Sequence, residues 1–165
     1  MADEFLELVL LACSIRVALR HVGLALGDRV CVSGSGPLAR LTAQLAELCT
    51  GVPPTRAGDG PEGGAHDGAP CDLLVDASAD PSLWAAVLPR VREQGRVLLL
   101  LPPGRQVYPY DFYPMVHRRS LSLLARRVPP EPPAAGIPAG DVYAEDIQAV
   151  RHLFERGLLV HPEAG

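Results

Sequence analysis

The run Arg29-Val30-Cys31-Val32-Ser33 stops at Gly34-Ser35-Gly36, and Pro37 then opens a helical pattern. This junction restricts the possible folds more than any other stretch of the chain. An unbroken apolar run rich in β-branched residues reads as a strand buried on both faces. Gly27-Asp28 before it is a turn pair, and a proline at the first helical position suits a helix reaching to about Leu48. Strand, tight turn and helix therefore follow one another directly.

The alternation recurs downstream. Cys71 to Ala77 and Arg96 to Leu101 read as buried strands, and between them Pro81 to Arg92 reads as a helix carrying Leu83, Trp84, Val87, Leu88 and Val91. Strand alternating with helix predicts an α/β fold with a mainly parallel sheet. A helix over Phe5 to Val22 precedes this core, ended by Gly23, and Ser120 to Arg126 resembles a further strand. Tyr143 to Arg156 places Ile147, Val150, Leu153 and Phe154 on one face of a last helix, closed near Gly157. Thr50 to Pro70 and Pro129 to Gly140 are rich in Gly, Pro and Ala without any apolar period, and both read as loops.

With 165 residues, 48% of them hydrophobic, and a net charge of −4, the chain predicts one compact domain and offers no basic stripe for a nucleic acid. All 15 basic residues are arginine, which excludes a Schiff-base lysine, a P-loop lysine and a lysine general base. Cys13, Cys31, Cys49 and Cys71 stand singly, so reduced, buried thiols are expected rather than a zinc site or a disulfide framework. The acidic start Met1-Ala2-Asp3-Glu4 and the lack of a long apolar run predict a cytoplasmic protein that does not span a membrane.

Gly34-Ser35-Gly36-Pro37-Leu38-Ala39 lies where a glycine fingerprint has chemical meaning, after a strand and at a helix start. The first glycine permits a tight turn, the second lets backbone approach a pyrophosphate, and the N–H groups of the helix start offer it partial positive charge. Three further segments follow in a familiar order. Gly27 to Pro37 is similar to "GDxVxVxGxGP", Cys71 to Ser78 to "DVVIDATG", and Asp111 to Ser122 to "LDxxxLLxRxLxLxGS". Together with the closing helix they resemble the cofactor-binding domain of the medium-chain, zinc-type alcohol dehydrogenase superfamily.

That resemblance implies a Rossmann-like three-layer domain, residues 1–165, in which the strand-two, helix and strand-three region is reduced to the Thr50 to Pro70 loop. It implies that the chaperonin-10-like catalytic domain, with its zinc ligands and proton relay, is missing from this sequence. It places NAD or NADP against Gly34, Ser35, Gly36, Pro37 and Leu38, with Ala77, Ser78 and Leu101 bordering the nicotinamide end, and it expects no zinc. Asp59 could accept a ribose hydroxyl and Arg56 could meet a 2′-phosphate, but a shortened wall would weaken the binding. The aromatic stretch suggests a homodimer through the edge from Val107 to Tyr113 and from Leu121 to Arg126.

Asp76, Tyr110, Asp111 and His117 are the candidate acid/base residues. An aspartate that ends a strand more often caps the next turn, and aromatics at a sheet edge more often form an interface than a site. Two functions stay open, and the missing strand-two region and absent zinc ligands favour the first. One is a degenerate, stand-alone protein that serves a non-redox biosynthetic or partner role through the old cofactor cleft. The other is the NAD(P)-binding subunit of a split oxidoreductase whose catalytic domain is a separate chain.

Overall fold

The computed structural model describes residues 2–57, 69–78, 80–101, 111–128 and 139–162. Helix α1 (Ala2–His21) leads through a turn into strand β1 (Val30–Ser33), and α2 (Pro37–Thr50) follows at once. The remaining elements are β2 (Thr55–Ala57), β3 (Cys71–Asp76), α3 (Pro81–Val87), β4 (Val91–Leu101), β5 (Ser122–Arg127) and α4 (Ala139–Glu155). The five strands form one sheet in the order β2-β1-β3-β4-β5, and every neighbouring pair is parallel.

Side-chain alternation along the central strands divides the core into two layers. Val30, Val32, Leu73, Val75, Leu98 and Leu100 face the layer shared with α1, α2 and α4. Cys31, Leu74, Val97 and Leu99 face the other, where Trp84, Val87 and Leu88 cover them. Both faces are dry, which is why these strands read as continuous apolar runs instead of an alternating pattern.

Helices α1 and α4 are tied by charge as well as packing. The Asp146 carboxylate of α4, almost fully buried, is met by Arg16 and Arg20 of α1. Near the other end of the pair the Phe5 and Phe154 rings meet edge to face at 5.8 Å, so the two helices run antiparallel.

Four boundaries depart from the sequence reading. Residues 55–57, inside the stretch read as loop, form β2 and pair with Cys31 to Ser33 of β1. Three residues after two prolines carry no period of their own, and the pairing comes from the partner strand. The helix from Pro81 gives way to a 3-10 turn at Leu88–Arg90, because Pro89 has no N–H to continue it. Strand β4 begins at Val91 rather than Arg96, reaching back through a bulge that carries Gln94 at φ 59°. Helix α4 starts at Ala139, which takes the last two residues from the expected 129–140 loop.

Candidate functional site

From β1 the chain crosses outward to β2 and then returns to β3 on the other side of β1. In a parallel sheet this reversal opens a crevice beyond the carboxyl ends of the two diverging strands. Residues 34–37 end β1 at that crevice, and residues 76–78 end β3 there.

Gly34 has φ +115°, and a Cβ on it would stand 3.1 Å from the backbone carbon of Ala77 and the nitrogen of Ser78. Its N–H donates to the Ala57 carbonyl at 2.8 Å, while the Ala77 N–H donates to the Ser33 carbonyl at 3.0 Å. The first glycine thus lets the ends of β1, β2 and β3 close on one another. Gly36 is different. Its backbone is extended, with φ −78°, and a Cβ there would meet nothing within 4 Å.

Gly36 is the N-cap of α2 and supplies no side-chain cap; Pro37 takes the first helical position, and the first turn holds no acidic residue. The amides of Leu38 and Ala39 precede the first helical acceptor, so they point out of the helix start. By contrast α3 is capped by Asp80, whose carboxylate accepts from the Ser82 N–H at 2.8 Å. The α2 end suits an anion approaching Gly36, and its backbone chemistry fits a dinucleotide pyrophosphate.

Asp76 is buried beneath this crevice. Its Oδ1 accepts from the Ser33 hydroxyl at 2.8 Å, the Ser78 hydroxyl at 2.6 Å and the Ser78 N–H at 3.0 Å. That set ties the ends of β1 and β3 together. Ala77 and Ser78 are half-buried, whereas Ser35, Gly36 and Pro37 are exposed and Leu38 is half-buried. Leu101 is the last residue of β4.

Two other candidate residues fall at the far end of the sheet. Asp111 accepts from the Tyr113 N–H at 3.2 Å, and the His117 ring stacks on Tyr113 at 5.3 Å. This turn leads into Arg119, whose carbonyl accepts from the Gln94 N–H in the first half of β4, and into Ser122, the first residue of β5, which pairs with Arg96. Asp76 pairs with Leu99, toward the opposite end of β4. The fold therefore separates Asp111 and His117 from the glycine turn, while Asp59 and Tyr110 lie outside the described residues.

A cleft of about 870 Å³ runs between α2 and β2 and begins at Ser35. Arg40, Gln44 and Glu47 line it from α2, Arg56 from β2, and Val160–Pro162 from beyond α4. The Gln44 side chain holds this last segment by accepting from the Val160 N–H at 2.8 Å and donating to the Val160 carbonyl at 3.3 Å. Arg40 donates to the Pro162 carbonyl at 2.9 Å. Sequence reasoning missed the cleft because its walls come from residues more than a hundred positions apart. The one local signal was the polar outward face of α2.

Three thiols are free and buried as expected, Cys13, Cys31 and Cys71. Cys49 is exposed, not buried, and Cys31 and Cys71 are brought together on adjacent strands. The pKa of the Cys31 thiol is lowered, chiefly by a hydrogen bond from Cys71 and secondarily by Thr55 and the Arg90 guanidinium, against the opposing effect of burial. Cys71 is pushed up by the same hydrogen bond and by burial. Burial pushes Cys13 up to about 11. Among the described residues no three His, Cys, Asp or Glu side chains form a metal-holding group.

The chain matches no protein-family profile and no curated protein. Solved structures do match. An alcohol dehydrogenase from Thermus sp. ATN1 aligns with TM-score 0.68 at 19% identity, covering 93% of this chain and 47% of that one. The likeness is one of fold, a Rossmann-like parallel α/β domain. A short chain alcohol dehydrogenase from Escherichia coli CFT073, complexed with NADH, aligns with TM-score 0.64 at 17% identity, covering 93% of this chain and 48% of that one. A candidate zinc-binding dehydrogenase from Sinorhizobium meliloti 1021, bound to NADP, gives TM-score 0.60 at 21% identity, with coverages of 92% and 48%. The Rossmann domain described here spans about half the length of the structures it matches. No helix among its described residues is long and apolar enough to cross a membrane.

Proposed function

We propose that this Rossmann domain binds a nicotinamide dinucleotide at the crevice between β1 and β3, and serves as the cofactor-holding partner of a separate catalytic chain. The observation that carries the reading is the α2 start, where backbone amides without a side-chain cap meet open space at Gly36. Gly34, Ser35, Gly36, Pro37 and Leu38 would hold the pyrophosphate, and Ala77, Ser78 and Leu101 would border the nicotinamide. The presence of β2 supports the reading, since it restores part of the wall expected to be lost.

A bound nicotinamide supplies hydride transfer; this chain contributes its binding and orientation. Proton handling falls to the partner. Asp76 is engaged in joining β1 to β3, and Asp111 and His117 are at the other end of the sheet. Titration with NADH and NADPH, followed by nicotinamide emission and energy transfer from the buried Trp84, is expected to saturate in the micromolar range. Silence at millimolar cofactor would leave the other reading, a non-redox partner or biosynthetic protein that keeps only the shape of the cleft.

We also propose that two copies of this chain pair through the edge strand β5. Strand β5 is a sheet edge among the described strands, and Leu123 on it is 39% exposed. Such an edge offers unpaired backbone groups to a second copy. Sedimentation is expected to give twice the 17.6 kDa chain mass, and Leu123→Lys to give the single chain. A wild-type monomer at high micromolar concentration would refute the pairing.

A further inference from the structure

Cys71 and Leu73 are two residues apart on β3, and in a regular strand they would share a face. They do not. Leu73 packs in the layer of α1 and α2, whereas Cys71 packs in the layer of Trp84, together with Cys31. The cause is a bulge: the N–H groups of Asp72 and Leu73 both donate to the Arg29 carbonyl, at 2.8 and 3.3 Å, so two residues of β3 stand against one of β1. The register between β3 and β4 shifts at the same place. A second thiol is thereby turned toward the first.

Cys31 stands between β2 and β3, with Thr55 as its partner across β2. The Cys71 thiol donates a hydrogen bond to its sulfur, and Thr55 and the Arg90 guanidinium also favour the thiolate. A buried thiol with no access would be inert all the same. Cys71, however, lines a cavity of about 200 Å³ at the amino ends of β1, β2 and β3, walled also by Arg29, Thr55 and Pro70. A water takes about 30 Å³, so there is room for a molecule as small as hydrogen peroxide. The cavity is at the opposite end of the sheet from the glycine turn.

We propose that Cys31 and Cys71 form a site of reversible oxidation, which a hydroperoxide entering this cavity converts into a disulfide between β1 and β3. The Cys31 thiolate attacks one peroxide oxygen; the S–O bond forms as the O–O bond breaks, and hydroxide leaves. The Cys71 sulfur then attacks the sulfenic acid, the S–S bond forms, and the departing hydroxyl takes the Cys71 proton as water. Two electrons pass from the thiol pair to the peroxide. The extra residue in the bulge gives β3 the slack to close the bond.

Cleavage after arginine puts each of the four cysteines in its own peptide. Hydrogen peroxide treatment of the folded full chain, followed by that cleavage under non-reducing conditions and mass spectrometry, is expected to show the Cys31 peptide joined to the Cys71 peptide. The joined mass should be less than their sum by two hydrogens, and dithiothreitol should separate them. Cys49→Ser, which removes the exposed thiol, should leave this bond unchanged. In Cys71→Ala a sulfenic acid should persist on Cys31 and take up dimedone at least about tenfold more than Cys13. Unjoined Cys31 and Cys71 peptides after peroxide has oxidised Cys49, or a bond that forms as readily in denaturant as in the folded chain, would overturn the site.

Discussion

Gly34→Ala is expected to lower the stability of the domain by about 3 kcal/mol, the sum of a left-handed backbone penalty and a clash with the end of β3. The added methyl would enter a gap of 3.1 Å to the Ala77 and Ser78 backbone, where no flexible side chain can yield. For a domain of this size the melting temperature should fall by roughly 6–12 °C. Gly36→Val supplies the contrast. Its extended backbone accepts any side chain and its surroundings are open, so melting should hardly change while nucleotide affinity falls by at least about tenfold. Circular dichroism melts alongside NADPH titration separate the two. A Gly34→Ala protein as stable as the parent would mean that β1 and β3 do not approach as described.

The second large effect lies between the first and last helices. Removing both arginines, Arg16→Ala with Arg20→Ala, leaves the Asp146 carboxylate buried without either cation and should cost about 3–5 kcal/mol. The asymmetry of the site makes the test sharp. Arg16 and Arg20 are 32% and 58% exposed, whereas Asp146 is only 3% exposed at its side chain. Asp146→Asn alone releases the arginines toward water and should cost less than the double arginine variant. Adding Asp146→Asn to the double variant should restore part of the loss, because an amide is cheaper to bury than a charge. Denaturant melts of the four proteins close the cycle. If the double arginine variant is within about 0.5 kcal/mol of the parent, the contacts are surface pairs of little energetic weight.

What could be read from the sequence was whatever neighbouring residues decide among themselves. Val30 to Ser33, the glycines and Pro37 specify strand, turn and helix within one short segment. Leu73 to Val75 and Val97 to Leu100 announce strands covered on both faces. Strand β2 escaped because Thr55–Ala57 owes its conformation to hydrogen bonds with β1. The contact of Cys31 with Cys71 and the docking of Val160 on Gln44 depend on tertiary closure and leave no periodic trace. The role of Asp76 was ambiguous for a related reason. A strand-ending aspartate looks the same whether it meets a ligand or, as here, the hydroxyls of Ser33 and Ser78. His117 and Asp111 were close to one another in sequence but gave no hint of the end of the sheet at which they would stand.

The antiparallel pairing of α1 with α4 brings the start of one helix beside the finish of the other, where Phe5 touches Phe154. From there residues 160–162 pass along the first turns of α2, next to Ser35. The carboxyl-terminal end of the described polypeptide thus lies at the cleft that begins at Ser35. A second folded body grafted there would hover over that cleft on a short leash, at an effective concentration in the millimolar range. The adjacency of Phe5 and Phe154 would allow the ends to be spliced and the chain reopened elsewhere, a circular permutation that leaves the sheet order intact.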